Sequence, residues 1–274
     1  MHYRVNTLLA LCITLIAVTV HGQITIVESG AVGNQVNLSA NYTQNFDTLP
    51  ATGTTYTWTN NSTLPGWYAS ATSFTVSSGS ATAGGLYSYG SAGIGERALG
   101  MVADGLVNYD YIGVRLVNGT NSTISDVAIS YTGEQWRRAA NNPQRTEPLT
   151  FTYQFFNAGT GSITAPSGWT SVPTLNFISP NAALNNINNA TLDGNATGNK
   201  VTIAESISVD WASGRELWLR WMDINDPGND HSQAIDLLTI TSSAVPEPAT
   251  SSLIAGAVLI ALCAIRLRRK YIGE

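Results

Sequence analysis

The chain has 274 residues, of which only 11% are charged, and its formal net charge is −5. Because its central part carries no basic patch, the composition argues against nucleic-acid binding. The two cysteines, Cys12 and Cys263, both lie in apolar segments near the ends, so the central part has no disulfide and no thiol site for metal or redox chemistry. Seven tryptophans and eleven tyrosines supply the apolar surface that a folded core needs and a disordered chain lacks.

The first segment in chain order has the pattern of a secretory signal peptide. Arg4 precedes an uninterrupted apolar stretch from Leu8 to Val20, and Val20 and Gly22 are tolerated at the −3 and −1 positions of a cleavage site. This pattern predicts a signal peptide over residues 1–22, cut after Gly22, and export through the Sec translocon. The expected mature body, residues 23–244, has the length of one large β domain.

The body shows strand patterns separated by clusters of Gly, Asn, Ser and Pro, and no stretch has a helical period. In 111–131 two alternating runs flank Asn118-Gly119, which predicts a β-hairpin. The run 215–224 is apolar on both faces, as in a central strand. Further strands are predicted at 149–156, 200–210 and 234–240. The fold class we expect is all-β: one antiparallel β-sandwich of the jelly-roll kind.

The segment 221–236, WMDINDPGNDHSQAID, is the densest group of oxygen-bearing side chains: Asp223, Asn225, Asp226, Asn229, Asp230 and Asp236. Such hard oxygen ligands suit calcium, and the candidate ligands are Asp223, Asn225, Asp226 and Asp230. The EF-hand pattern is not met, because Pro227 takes its fifth position and Ala234 its twelfth. A simple hairpin turn and a sugar-contacting loop remain alternatives. No cofactor other than this calcium ion is indicated.

Two tryptophans are candidates for stacking on a sugar ring. Trp67 lies in LPGWYAS, and Trp136 follows Glu134 and precedes two arginines. If they are exposed, these indoles form a carbohydrate-binding surface; the alternative for Trp136 is a buried plug covered by the arginine stems. Glu205 falls in phase with apolar neighbours, which predicts a β-bulge, an ion pair with Arg97 or Arg220, or an acid in a concave sheet.

Signatures of catalysis are scarce. His231 is the single histidine left in the predicted mature body, and the chain has no Gly-x-Ser-x-Gly motif. Zinc and Cys-His chemistry are therefore not expected, and the acids form no compact catalytic run for glycoside hydrolysis. The sequence predicts a protein that is not an enzyme, and a polysaccharide hydrolase using Glu134 or Glu205 is the less favoured alternative.

The C-terminal segment, residues 245–274, has three parts. Pro246, Glu247 and Pro248 come first, and then 249–265 carries no charge and is just long enough to cross a bilayer as a helix. The basic tail 266–270 follows with Arg266, Arg268, Arg269 and Lys270. Cations at this edge keep it on the cytoplasmic side, so that the body lies outside. An ordinary C-terminal membrane anchor fits this pattern.

The three parts together resemble the PEP-CTERM sorting signal, which exosortase reads in Gram-negative bacteria with exopolysaccharide-rich envelopes. The resemblance implies that Pro246, Glu247 and Pro248 are recognition residues and that the helix tethers the chain to the inner membrane only until it is cut. The body would then reach the cell surface or extracellular matrix. Four segments make the body similar to a lectin-like β-sandwich module of bacterial surface proteins: YTQNFDTLP (42–50), LPGWYAS (64–70), ERALG (96–100) and LRWMDINDPGNDHSQAIDLLTI (219–240).

The sequence thus favours an exported, non-enzymatic surface or matrix protein sorted by exosortase. The alternative is a carbohydrate-binding module, with or without calcium, that acts on extracellular polysaccharide.

Overall fold

The computed structural model describes residues 22–103, 109–139, 147–181, 189–225 and 229–244. Within these ranges the chain forms seventeen strands and two short 3-10 helices, and no α-helix. The helices are Pro173–Leu175 and Thr197–Asn199. The strands are β1 Ile24–Val27, β2 Gln35–Asn37, β3 Asn41–Gln44, β4 Thr55–Thr57, β5 Trp67–Ala69, β6 Ser73–Ser77, β7 Gly85–Tyr89, β8 Ala98–Val102, β9 Tyr109–Asn118, β10 Ile124–Arg138, β11 Pro148–Phe156, β12 Thr170–Ser171, β13 Phe177–Ile178, β14 Ala190–Thr191, β15 Lys200–Trp211, β16 Glu216–Ile224 and β17 Ser232–Ala244.

The strands form two sheets. The first has the order β12-β11-β16-β9-β1-β2, with β13 also paired to β11 and β5 to β9. The second has the order β14-β10-β17-β8-β7-β6-β4, with β15 on β10 and β3 on β17. The all-β prediction is confirmed. The expectation of a purely antiparallel sandwich is wrong, because β1 pairs in parallel with β2 and β9, and β6 with β7. Alternation in a sequence indicates which face a side chain takes and carries no information on strand direction.

The predicted hairpin over 111–131 is also wrong in its pairing. Both strands form, but β9 belongs to the first sheet and β10 to the second, so residues 119–123 cross between the sheets. The side chain of Asn118 holds this crossing: its amide donates to the carbonyls of Trp211 (2.7 Å) and Ser122 (2.9 Å), and its oxygen accepts from the Thr120 amide (3.0 Å). A buried amide that satisfies three backbone groups fixes a corner here rather than a two-residue turn.

A main hydrophobic cluster draws on both sheets. Trp221 on β16 lies near its centre: it stacks on Trp67 at 6.1 Å between ring centroids and makes edge contacts with Tyr131 (5.3 Å) and Phe151 (5.2 Å). Since Tyr131 belongs to the second sheet, this aromatic group joins the two layers. The prediction that 215–224 is a central strand is confirmed, because β16 lies between β11 and β9 and is buried on both faces.

The targeting segments predicted from the sequence lie outside the described residues, apart from Gly22. In the part of the chain that the structure covers, no helix has the length and apolar character needed to span a bilayer.

Candidate functional site

The outer face of the first sheet carries a group of aromatic rings around one arginine. Along β16 the side chains alternate: Leu217, Leu219 and Trp221 join the central cluster, whereas Trp218, Arg220 and Met222 point the other way. Neighbouring strands and the segment 157–169 add further rings to this side. We call this group the aromatic face; it consists of Tyr68, Tyr111, Phe156, Trp169, Trp218 and Arg220.

Arg220 holds the centre of the aromatic face. Its guanidinium carbon lies 3.7 Å from the ring centroid of Trp169 and 4.3 Å from that of Tyr111. Its Nε donates to Thr152 Oγ1 and its Nη1 to the Ile163 carbonyl, each at 3.2 Å. A buried cation that stacks on two rings while bonded to two oxygens is held in one orientation. Arg220 therefore fixes the position of Trp169, which stays partly exposed.

The neighbouring part of the aromatic face is held by a second polar group. Tyr68 lies on Trp218 at 4.5 Å between centroids, and the Trp218 indole donates to Glu216 Oε2 at 2.8 Å. Arg115 donates to the Tyr68 hydroxyl at 3.2 Å. Burial raises the pKa of Tyr68, and the charge of Arg115 acts in the opposite direction. The phenol is therefore neutral at physiological pH.

The solvent side of the aromatic face combines flat apolar surface with planar polar groups. Tyr68, Phe156 and Trp169 are partly exposed, as are the side chains of Arg115 and Gln154. Gln154 lies beside Trp218 in the register of β11 and β16, and Arg115 lies on the other side of Trp218 in β9. Rings that stack on apolar faces, flanked by groups that bond hydroxyls in a fixed plane, suit a sugar ring.

The two tryptophans that the sequence pointed to are not exposed. Trp67 has 0% and Trp136 1% of its surface accessible, so the prediction that they form a stacking surface is wrong. Trp67 packs in the main cluster and donates to the Tyr42 hydroxyl at 2.9 Å. Trp136 is the buried plug that was the alternative: its indole stacks on Tyr89 and is covered by loop backbone at Gly194. Alternation could not reveal this, because the two sheets bury both faces here.

The acidic segment 221–236 does not form a hairpin loop, because it joins β16 of the first sheet to β17 of the second. Asp223 lies inside β16 and accepts the Ala103 amide at 2.8 Å. Burial raises the pKa of Asp223 well above its usual range, and repulsion from nearby carboxylates adds to this. Asp230 is buried nearby and Asn225 is half-buried. Asp226 lies outside the described residues, so calcium binding by this segment stays a prediction.

Glu205 matches neither of its two structural explanations. It lies half-buried in an unbroken register opposite Ile129, so no bulge turns it outward. Arg97 instead donates to Ser88, and Arg220 stacks on Trp169. The Glu205 carboxylate accepts the Ser206 amide at 2.9 Å.

A second acidic group brings together residues far apart in the chain. One oxygen from each of Glu96, Glu134 and Asp236 lies within 4.8 Å of the others. We call this group the carboxylate cluster. Burial raises the pKa of Glu134 to about 7, although the hydrogen bond from the Trp136 indole opposes the shift. Burial likewise raises the pKa of Asp236 to about 8, and repulsion from Glu134 and Glu96 adds to it.

Reasoning from the sequence missed the aromatic face. One signal was available: in 215–224 Trp218, Arg220 and Met222 alternate with Leu217, Leu219 and Trp221. An arginine within an otherwise apolar outer row indicates a face that is covered yet not part of the main core.

No protein-family model matches this chain, and no curated protein does. Among solved structures it is similar to the xylan-binding CBM22-1 domain of Xyn10C from Paenibacillus barcinonensis, with 12% identity over 66% of this chain and 88% of that one and a TM-score of 0.31. It is also similar to the K2 cleaved adhesin domain of Lys-gingipain, with 15% identity over 74% and 99% and a TM-score of 0.34. A cellulose-specific module, CBM28, matches with 12% identity over 66% and 88% and a TM-score of 0.31. Likenesses at this level do not establish an activity.

Proposed function

We propose that this chain is an exported, non-enzymatic surface protein that binds carbohydrate through the aromatic face. The observation that carries the proposal is the stacking of Arg220 on Trp169, with the guanidinium carbon 3.7 Å from the ring centroid. An indole held rigid and left partly exposed loses little entropy when a sugar ring stacks on it. Arg115 and Gln154 lie on either side of Trp218, and their partly exposed side chains supply N–H donors for sugar hydroxyls.

Affinity electrophoresis of the full chain in gels containing xylan, soluble cellulose derivatives or galactan tests this proposal. We expect retardation by at least one of these polymers, and its loss in Trp169→Ala and in Tyr68→Ala. Tyr56→Ala is the matched control, because Tyr56 is an aromatic residue 37% exposed on β4 of the second sheet. Equal retardation of Trp169→Ala and wild type would contradict the proposal, as would equal loss in Tyr56→Ala.

The hydrolase alternative finds no support in the arrangement of its acids. In the ladder of β10 and β15, Glu134 lies opposite Lys200, whereas Glu205 lies opposite Ile129, five residue steps away. At roughly 3.3 Å a step their Cα positions are about 17 Å apart along the strands, too far for the two side chains to flank one glycosidic bond. We expect no release of reducing sugar from these polymers, and equal background in Glu134→Gln, Glu205→Gln and wild type.

Export and sorting by exosortase are part of the same proposal and rest on the terminal segments of the sequence. Mass spectrometry of the protein recovered from a host that carries exosortase is expected to show an N-terminus at Gln23 and loss of residues after the Pro246-Glu247-Pro248 motif. Replacing these three residues by alanine is expected to leave the C-terminus intact. Recovery of an intact chain from the cytosol would contradict this part.

A further inference from the structure

The carboxylate cluster has the dimensions of the oxygen shell around one ion. Its members come from three places: Glu96 lies two residues before β8, Glu134 in β10 and Asp236 in β17. Their nearest oxygens all lie within 4.8 Å of one another. Two oxygens bound to the same calcium ion at its usual distance are at most about 5 Å apart. The spacing therefore admits a single cation among the three carboxylates without rearrangement of the strands.

Two buried oxygens of the carboxylate cluster accept no hydrogen bond from the residues that the structure describes. Asp236 is only 4% exposed, and no donor among the described residues bonds its Oδ1. The same holds for Glu96 Oε1. A buried carboxylate oxygen without a donor is costly, and here a second and a third carboxylate stand beside it. A cation bound among the three carboxylates would give these oxygens a partner.

The other contacts orient the cluster without filling it. The Trp136 indole donates to Glu134 Oε2 at 2.9 Å, and the Asn195 amide donates to Glu96 Oε2. The Leu237 backbone amide donates to the Asp236 carboxylate. Each of the three carboxylates is therefore held by one donor, as outer contacts hold the ligands of a metal.

A bulge in β17 presents Asp236 to this site. Thr132 pairs with Asp236 but Ser130 pairs with Thr239, so β17 carries one extra residue against β10. Leu237 occupies the bulge with a φ of +51°, a conformation that is unfavourable for a leucine. Bulges often redirect a side chain toward a functional site, and this one places Asp236 beside Glu134.

We propose that Glu96, Glu134 and Asp236 bind one calcium ion. The set holds only carboxylate oxygens, which favours a hard cation over zinc or copper. Glu134 and Asp236 are almost fully buried, so a sugar cannot reach them, whereas half-buried Glu96 leaves a path for an ion. The site does not depend on carbohydrate binding. It shares Asp236 with the acidic segment 221–236 but none of the candidate ligands Asp223, Asn225, Asp226 and Asp230.

Thermal melting and isothermal titration of the full chain, with calcium chloride as the probe, test the proposal. After treatment with EDTA, we expect one calcium ion to bind per chain and to raise the melting temperature by several degrees, since a ligand that binds only the folded state stabilises it. Terbium, used in place of calcium, is expected to show emission sensitised by Trp136, which lies against Glu134. Absence of calcium binding to the wild-type chain would overturn the proposal.

The variants Glu134→Gln and Asp236→Asn separate this site from any other. Each is expected to abolish the calcium shift and the terbium emission, yet to melt in EDTA at or above the wild-type temperature, because a neutral amide avoids the cost of ionising a buried carboxyl group. Asp210→Asn, at an exposed position of β15, is the control and is expected to keep the full shift. A shift that persists in both cluster variants, or that disappears in Asp230→Asn instead, would refute the assignment.

Discussion

The two acidic groups of this protein contain similar side chains but use their oxygens differently. Around Asp223 the carboxylates serve the fold: Asp223 accepts the Ala103 amide, Asp110 accepts the Ser70 hydroxyl at 3.1 Å, and Glu147 accepts the His231 amide. In the carboxylate cluster, Asp236 Oδ1 and Glu96 Oε1 have no donor among the described residues. Both groups are acidic and buried, and the carboxylate cluster is the one with buried oxygens that accept no hydrogen bond from the described residues.

This difference shows that the density of carboxylates is a poor guide to an ion site. An oxygen that already bonds a backbone amide gains less from a cation than an oxygen with no partner at all. The group around Asp223 ties three segments of chain together, whereas the carboxylate cluster places three carboxyl groups side by side. Burial and mutual repulsion raise the pKa of two of them. The following predictions test this contrast, beginning with the largest expected effect.

Trp136→Ala is expected to destabilise the protein by about 3–5 kcal/mol, the usual cost of removing a fully buried aromatic side chain. The backbone of Gly194 packs directly on the indole, since a Cβ there would lie 2.3 Å from Trp136 Cε2, so the space cannot close easily. Glu134 also loses its donor. Urea denaturation measures the change, with Tyr56→Ala as the exposed control. A loss below about 1 kcal/mol would mean that Trp136 does not hold the carboxylate cluster.

Without calcium, stability is expected to fall as the pH rises from about 5 to 8. The pKa of Glu134 rises from 4.5 to about 7 on folding, and that of Asp236 from 3.8 to about 8. In this window the folded chain holds protons that the unfolded chain has released, so each increase in pH favours unfolding. Melting temperatures in EDTA across the window measure the slope, and saturating calcium is expected to remove most of it.

Burial sets the direction of the effect for both groups, and the charges that face them add to it or oppose it. Glu96 and Asp193 repel Glu134, while Lys200 attracts it; Asp47 adds to the repulsion at Asp236. Glu134→Gln is therefore expected to have a shallower slope than the wild type. Equal slopes in the wild type and in both Glu134→Gln and Asp236→Asn would show that other buried acids, such as Asp223, cause the pH dependence.

Asp223→Asn is expected to change stability by no more than about 1 kcal/mol, because the asparagine oxygen can still accept the Ala103 amide. The calcium shift is expected to match that of the wild type. Titration of this variant with calcium chloride is the measurement. If the calcium shift is lost in Asp223→Asn, the ion binds at the segment around Asp223 that the sequence indicated, and the carboxylate cluster is not the calcium site.

The positions of the strands could be predicted from the sequence to a large extent, but not their partners. In β11, Leu149 and Phe151 alternate inward as the pattern required, and β16 is the central strand that its apolar run indicated. The predicted pairing of β9 with β10 was wrong, because the Asn118-Gly119 sequence is typical of a hairpin turn. Only the tertiary contacts of the Asn118 side chain with Trp211 turn it into a crossing between sheets.

The candidate sites were harder to predict, for a related reason. Glu96, Glu134 and Asp236 lie on separate strands or turns, and no spacing in the sequence links them. The grouping in 221–236 is dense in the sequence, but Asp223 and Asp236 point to different groups because they lie in different sheets. Trp136 and Glu134 are close in the sequence, but the burial of Trp136 depends on the loop that carries Gly194, which packs on its indole.

Leu237→Gly is expected to have the smallest effect and the opposite sign. Leu237 is 57% exposed and has a φ of +51°, so glycine relieves an unfavourable backbone conformation while little apolar burial is lost. A gain of up to about 1 kcal/mol is expected in EDTA, reduced by the greater flexibility of glycine in the unfolded chain. Because the bulge and the direction of Asp236 are kept, the calcium shift should be unchanged. Leu237→Val is the matched control: it stays apolar but places a β-branched residue at a positive φ, so it should melt below the wild type. If Leu237→Gly destabilises the chain and also weakens calcium binding, the leucine side chain itself holds Asp236 in place, and the bulge alone does not define the site.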